Sequence, residues 1–376
     1  MTVTDAPARA YARIRYRLLL ADLVGGFAFL VAFQASGASA ALARWWSGRT
    51  AHEPLLILGY LAVFGAAYYL FTLPLHFSGS FLLERHFGLS RMTPMRWAIR
   101  EAKRLGVSAA LGALLVEGLY ALLRHAPSRW PLWATLGWVA FSIVLARVFP
   151  TVVLPIFYKT RPLQDEGLAN RLMELCRRTG LGALGVFRVD LGAETRKANA
   201  ALAGLGKTRR VLLADTLLAE FSPDEIEGVL AHELAHHRYH HHRKLLVLGA
   251  IGAWLAFVLT DAIGQRWVAS LGLRDLADIA GFPILVAWLS LLGLLSLPLQ
   301  NGLSRHFEWQ ADRFAVEVTR RPRAFADALR RLAALNLADP NPPRWIEVIF
   351  YDHPRISERI RSADASSGAT HASSPH

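Results

Sequence analysis

The sequence predicts an all-α polytopic membrane protein of about six transmembrane helices, with a mainly helical, cytoplasm-facing polar domain that carries a small β element. Three observations lead to this class. Of the 376 residues, 53% are hydrophobic and only 19% charged, an apolar excess beyond what a soluble domain of this length needs for its core. Six stretches, near 17–36, 54–76, 105–123, 131–157, 245–264 and 278–300, are long and apolar enough for the roughly 20 residues of helix that cross a bilayer. Lysine and arginine are divided unevenly among the connections. Four precede residue 18, six lie in 77–104, fourteen in 158–244 and eleven in 301–376, against two in each of 37–53, 124–130 and 265–277. Basic residues gather on the cytoplasmic side of membrane proteins, so six spans with both termini in the cytoplasm put every rich segment on one side.

Residues 1–157 read as a membrane domain of four spans. The first of these is too long for a cleaved signal peptide and lacks a small-residue cleavage site. Glu117 and Arg147 interrupt the third and fourth spans at a depth where charges face a protein interior or a wet cavity; a structural Glu117–Arg147 pair and a cavity-lining role are both open. Residues 158–244 form the first polar part, 245–300 hold two further spans, and 301–363 form the second polar part. Residues 364–376, rich in Ser, Ala and His, are expected to be a disordered tail. Two spans separate the polar parts, which therefore lie on the same side and can form one domain. The net charge of +13 follows from cytoplasmic connections rather than from a nucleic-acid surface, and no nucleic acid is expected as a partner. The single cysteine, Cys176, excludes an internal disulfide and a cysteine-based zinc cluster.

The first polar part closes on FSPDEIEGVLAHELAHHRYHHHRK. Ser222 is a good N-cap, Pro223 suits the first helical position, and Glu225 completes a capping box. Apolar residues then recur at helical spacing, so His232 and His236 share one helical face at i, i+4. Two imidazoles so placed can ligate one zinc ion, with Glu233 beside them as the base for an activated water, the H-E-x-x-H arrangement. His237, His240 and His242, with Arg238, Arg243 and Lys244, are expected to form a basic collar at the membrane edge, with His241 at most brushing the site. A catalytic zinc needs a third protein ligand. SRHFEWQADRFAVEV, in the second polar part, supplies Glu308 and Asp312, again at i, i+4. Glu308 can complete a His/His/Glu set, and Asp312 can accept the remaining ring N–H of a ligand histidine.

With these motifs in place the sequence resembles the type I CAAX prenyl endopeptidases, membrane-embedded zinc metalloproteases. The resemblance runs from about Pro150 to Arg361 and more loosely over the preceding spans. It rests on PIFYKTRPLQDEGLANRLMELCRRTG, RKANAALAGLGKTRRVLLADTLL, HELAHH, EWQAD and DHPRISERI, in the family's order. It implies a zinc-peptidase domain with one zinc per chain and a peptide or protein substrate, prenylated ones included. It also implies a substrate-binding role for Asn199, a transition-state donor at His353 and a substrate-carboxylate partner at Arg359. TRRVLLADTLL reads as β-rich, so the stretch from Asn199 could present a strand edge to an extended peptide. The chain departs from the family at Ala235, where glycine is usual, and in having six spans where eukaryotic members have seven. The tail lacks an ER-retrieval sequence, which makes a bacterial inner membrane the expected location. Two other readings stay open. One is a membrane-protein quality-control protease of the heat-shock type; the other is a non-catalytic transporter or scaffold, which would have no need of Glu233.

Overall fold

The computed structural model of the chain describes residues 5–204 and 206–372. The chain opens with α1 (Asp5–Ala35), the short α2 (Ala38–Ser47) and α3 (Glu53–Phe77), which runs through a π turn at Ser78–Leu82 into α4 (Leu83–His86). Next come α5 (Pro94–His125) and α6 (Trp130–Val148), the latter passing through a second π turn at Phe149–Val153 into α7 (Leu154–Phe157). The polar part begins with β1 (Thr160–Pro162), α8 (Glu166–Arg178), β2 (Val186–Val189), β3 (Ala200–Ala203) and β4 (Arg210–Ala214). It continues with α9 (Asp215–Glu220) and α10 (Pro223–Arg238). Two long helices follow, α11 (His241–Leu271) and α12 (Phe282–Thr319), and the chain closes with α13 (Pro322–Leu335), α14 (Arg344–Phe350) and α15 (Ile356–Ala372).

Among the described residues six helical segments are long and apolar enough to cross a membrane, and they match the six stretches read from the sequence, residues 36 and 278 alone falling outside them. Their outward faces carry exposed Leu70, Leu114, Val144, Ile251 and Leu295, an apolar belt that lipid would cover. One end of the bundle is closed by an aromatic core of Tyr60, Phe64, Tyr120 and Phe282, with Phe64 edge-on to Phe282 at 5.4 Å. Residue 308 lies 26 residues along α12 from Phe282, roughly 39 Å of helix, so the polar domain sits at the opposite end.

In that domain β1, β2, β4 and β3 form a four-stranded sheet in that order, leaving β3 on an edge. The core is built from α8, the sheet, α10, α12, α13 and α15, with Leu172, Leu213, Leu230, Ala311 and Phe325 buried. Helix α10 lies at its centre, buried on almost every side from Glu225 to Ala235. Its first turn is held by the reciprocal Ser222–Glu225 capping box. Its outer carboxylates are pinned by neighbours: Glu225 by Arg331 at 2.8 Å, and Glu227 by Arg171 and Arg321, both at 2.9 Å. Gly228 brings α13 close, because a Cβ there would stand only 3.3 Å from the Phe325 ring.

Three expectations need correction. Glu117 and Arg147 make no ion pair among the described residues. They sit at different heights on antiparallel neighbours, eight residues before the end of α5 and seventeen after the start of α6. TRRVLLADTLL is a strand only in its first half; from Asp215 it turns helical, with Asp215 Oδ1 accepting from the N–H groups of Leu191 and Gly192. Across residue 300 the last span and the polar helix are one continuous α12. The tail is not disordered from 364, because α15 stays helical to Ala372 as an extension of the turns anchored by Ile356, Ile360 and Ala363; 373–376 lie outside the described residues.

Candidate metal centre

His232 and His236 project from one face of α10, and Glu308 comes from the facing turn of α12. The two Nε2 atoms are 3.2 Å apart, and each lies 3.3 Å from an oxygen of Glu308. Their ligand atoms form the convergent His/Glu group among the described residues. Around a tetrahedral zinc at roughly 2.0–2.1 Å, ligand atoms stand about 3.3 Å from one another, so this set fits the ion.

The surrounding hydrogen bonds fix which ring atoms face inward. Asp312 Oδ1 accepts from His232 Nδ1 at 2.9 Å, leaving the Nε2 lone pair directed at the cluster. On the other histidine, Gln310 Oε1 accepts from His241 Nε2 at 3.0 Å. His241 Nδ1 is therefore bare and accepts from His236 Nδ1 at 3.1 Å. His236 Nε2 is left as an acceptor too. Glu308 Oε2 is buried with no aligned donor. Three acceptors turned on one another require a cation or a proton between them. Without metal the proton lies on His232: burial opposes its charge, but hydrogen bonds to Asp312 and Glu308 outweigh that and raise its pKa to about 9.

His241, which the sequence placed at most at the margin of the site, is fully buried, stacked on Phe307 with ring centroids 4.2 Å apart, and is hydrogen-bonded to a candidate ligand. His240 adopts the left-handed region (φ 58), which reverses the chain between α10 and α11 and returns residue 241 beneath residue 236. His237 leaves the expected collar and donates from Nε2 to the Leu202 carbonyl of β3 at 3.0 Å. Burial pushes its pKa down to about 4, which keeps the ring neutral.

Glu233 is half-buried beside His232 and makes no hydrogen bond or ion pair among the described residues. His353 reaches the cluster from the loop before α15. Its Nε2 is 3.3 Å from Glu308 Oε2, and its Nδ1 donates to Asp352 at 2.7 Å. Arg359 is buried, with its guanidinium fork on Asp312 at 2.7 and 2.8 Å, so it braces the carboxylate behind His232. Asn199 is exposed at the head of β3. Its segment is tied to the membrane domain by Arg91 N donating to Glu194 O and Arg196 N donating to Leu89 O, at 2.8 and 2.9 Å. A cavity of about 910 Å³ runs from α1 and α3 (Tyr16, Asp22, His76) to Asn199 and His353.

Residues 162–367 match the family model described as Peptidase family M48, and residues 5–159 match that of the CAAX prenyl protease N-terminal region, described as five membrane helices. Over 372 residues the chain is 26% identical to the uncharacterized metalloprotease YhfN of Bacillus subtilis, covering 97% of this chain and 86% of that protein. CAAX prenyl protease 1 of Saccharomyces cerevisiae is 28% identical over 335 residues, covering 84% of this chain and 73% of the yeast protein. The crystal structure of S. mikatae Ste24p superposes with a TM-score of 0.87 over 96% of this chain and 89% of that one, at 23% identity, a likeness of fold.

Proposed function

This chain belongs to peptidase family M48 and is a multi-pass membrane metalloendopeptidase; from that premise we propose that it cleaves peptides near a C-terminus, of the CAAX type and prenylated, on the cytoplasmic face of a bacterial inner membrane. The observation that carries the reading is the cavity, which runs from the membrane helices α1 and α3 to His353, itself 3.3 Å from Glu308 Oε2, and so suits a substrate with a peptide end and a lipid-like end. The names of the yeast and other eukaryotic relatives support the same substrate class.

His232, His236 and Glu308 would hold the zinc ion. Bound there, zinc would supply Lewis-acid polarisation of the scissile carbonyl and a water acidic enough to react at neutral pH. Glu233, adjacent to His232 and free of ion pairs, is the base that takes the proton of that water and carries it to the leaving amine. His353, whose Nδ1 lies 2.7 Å from Asp352, would direct an Nε2–H at the developing oxyanion. The β3 edge beyond Asn199 would pair with the substrate backbone and set its register. The peptidase domain comprises 158–244 and 301–363, joined by the spans of 245–300.

The test is mass spectrometry of products from the purified, zinc-loaded protein given a prenylated CAAX peptide and its unprenylated counterpart. Faster cleavage of the prenylated peptide is expected. The variant Glu233→Gln should keep its zinc and lose turnover by orders of magnitude. Cleavage of neither peptide by the zinc-loaded wild type would overturn the substrate assignment, and unchanged turnover in the variant would remove Glu233 from the mechanism.

A further inference from the structure

The open edge of β3 is partly blocked. Asn199 O accepts from Ala214 N at 3.0 Å, so by the antiparallel register Ala201 and Ala203 also turn their backbone groups toward β4. Ala198, Ala200 and Leu202 therefore turn theirs outward. Thr216 Oγ1, which donates to Lys197 O at 2.8 Å, keeps the same alternation one residue earlier. Two of the three outward residues already have partners from outside the sheet. Asn336, at the end of α13, accepts from Ala198 N at 3.0 Å and donates to Ala198 O at 3.3 Å, so its side-chain amide stands where a neighbouring strand would. His237 donates to Leu202 O at 3.0 Å. Among the described residues both backbone groups of Ala200 and the N–H of Leu202 are left over for a guest chain.

We propose that Asn336 and His237 are specificity-determining stops, which confine backbone pairing of a bound peptide to a short slot centred on Ala200. The inference rests on the peptidase reading above and deepens it. From Ala198 to Leu202 the slot is roughly 13 Å long, the reach of about four extended residues. A peptide that fills it gains no further strand pairing by being longer. The edge thus selects short accessible segments, such as a chain end, and disfavours a long strand added along the sheet.

The experiment uses the full-length Glu233→Gln protein, zinc-loaded in detergent, and fluorescent peptides extended stepwise to either side of one fixed sequence. Affinity should climb with length until the slot is filled and then level off. Adding His237→Ala frees the Leu202 carbonyl, and peptides long enough to reach it should bind about fivefold tighter relative to shorter ones, the net worth of one backbone hydrogen bond. His237→Gln, which retains an N–H donor, should restore the plateau. Asn336→Ala should move the plateau for extension in the opposite direction along the peptide. Affinity that keeps climbing in the Glu233→Gln protein, or a length dependence untouched by His237→Ala and Asn336→Ala, overturns the inference alone. Failure of every peptide to bind overturns the peptidase reading and the inference with it.

Discussion

Replacing Asp312 by alanine should damage stability and metal affinity through two separable routes. Asp312 is buried and accepts from His232 Nδ1 at 2.9 Å and from Arg359 at 2.7 and 2.8 Å. Removing it strands a buried guanidinium beside Glu308, which lies 3.6 Å away and belongs to the ligand set. Breaking a buried pair from one side costs about 3–5 kcal/mol, and the nearby Glu308 puts this case at the lower end. Loss of the orienting carboxylate behind a ligand histidine lowers metal affinity by about 10–100-fold. An uncompensated Arg359 beside a divalent cation pushes this case toward 100-fold, or about 2.8 kcal/mol. Stability can be followed in detergent with a thiol-reactive dye, since the single Cys176 is buried in the peptidase core. Zinc affinity follows from chelator competition. Adding Arg359→Met removes the stranded charge, so the double variant should regain most of the stability while keeping a loss of about tenfold in affinity from the unoriented imidazole. Wild-type affinity in Asp312→Ala, or a double variant no more stable than the single one, would refute the brace.

Three further outcomes are expected. His241→Phe keeps the stack on Phe307 but removes the acceptor at His236 Nδ1, so zinc affinity should fall by about 10–100-fold in chelator competition with little loss of folded protein; an unchanged affinity counts against the Gln310–His241–His236 relay. Because the folded-state pKa of His232 is raised from 6.5 to about 9, metal-free protein should carry a stabilising contribution that is complete below pH 6.5 and lost as pH rises through 9. Zinc-loaded protein, whose His232 must be neutral, should lack this slope, and equal slopes in thermal melts across pH 6–10 would contradict the assignment. In a Cys176→Ser background, single cysteines at Glu174 and Arg323 should be protected together from an impermeant thiol reagent added to intact cells, while one at Ser270 should label; opposite behaviour of the first two would break the shared-face topology.

Much of this protein was legible from the order of its residues alone, wherever the physics is local or counts along the chain. A bilayer demands long apolar helices, so six spans could be read directly, and an even number between HELAHH and EWQAD already required the two motifs to share a face. The i, i+4 spacing within each motif decided which side chains of one helix point together, giving His232 with His236 and Glu308 with Asp312. Contacts between elements were not legible, because they depend on how helices cross and how turns redirect the chain. Helical spacing could not tell that His240 would take the left-handed region and bring His241 back under His236. Nor could it tell that His237 would turn to a strand carbonyl 35 residues earlier. Arg359 is the sharpest case. Its motif gave no sign of a partner inside the protein, and it is the packing of α15 against α12 and α13 that carries its guanidinium to Asp312, as a buried charge requires. The same distinction explains Glu117 and Arg147, whose depths left a pair and a cavity-lining role both open, and which the heights of two antiparallel helices keep apart.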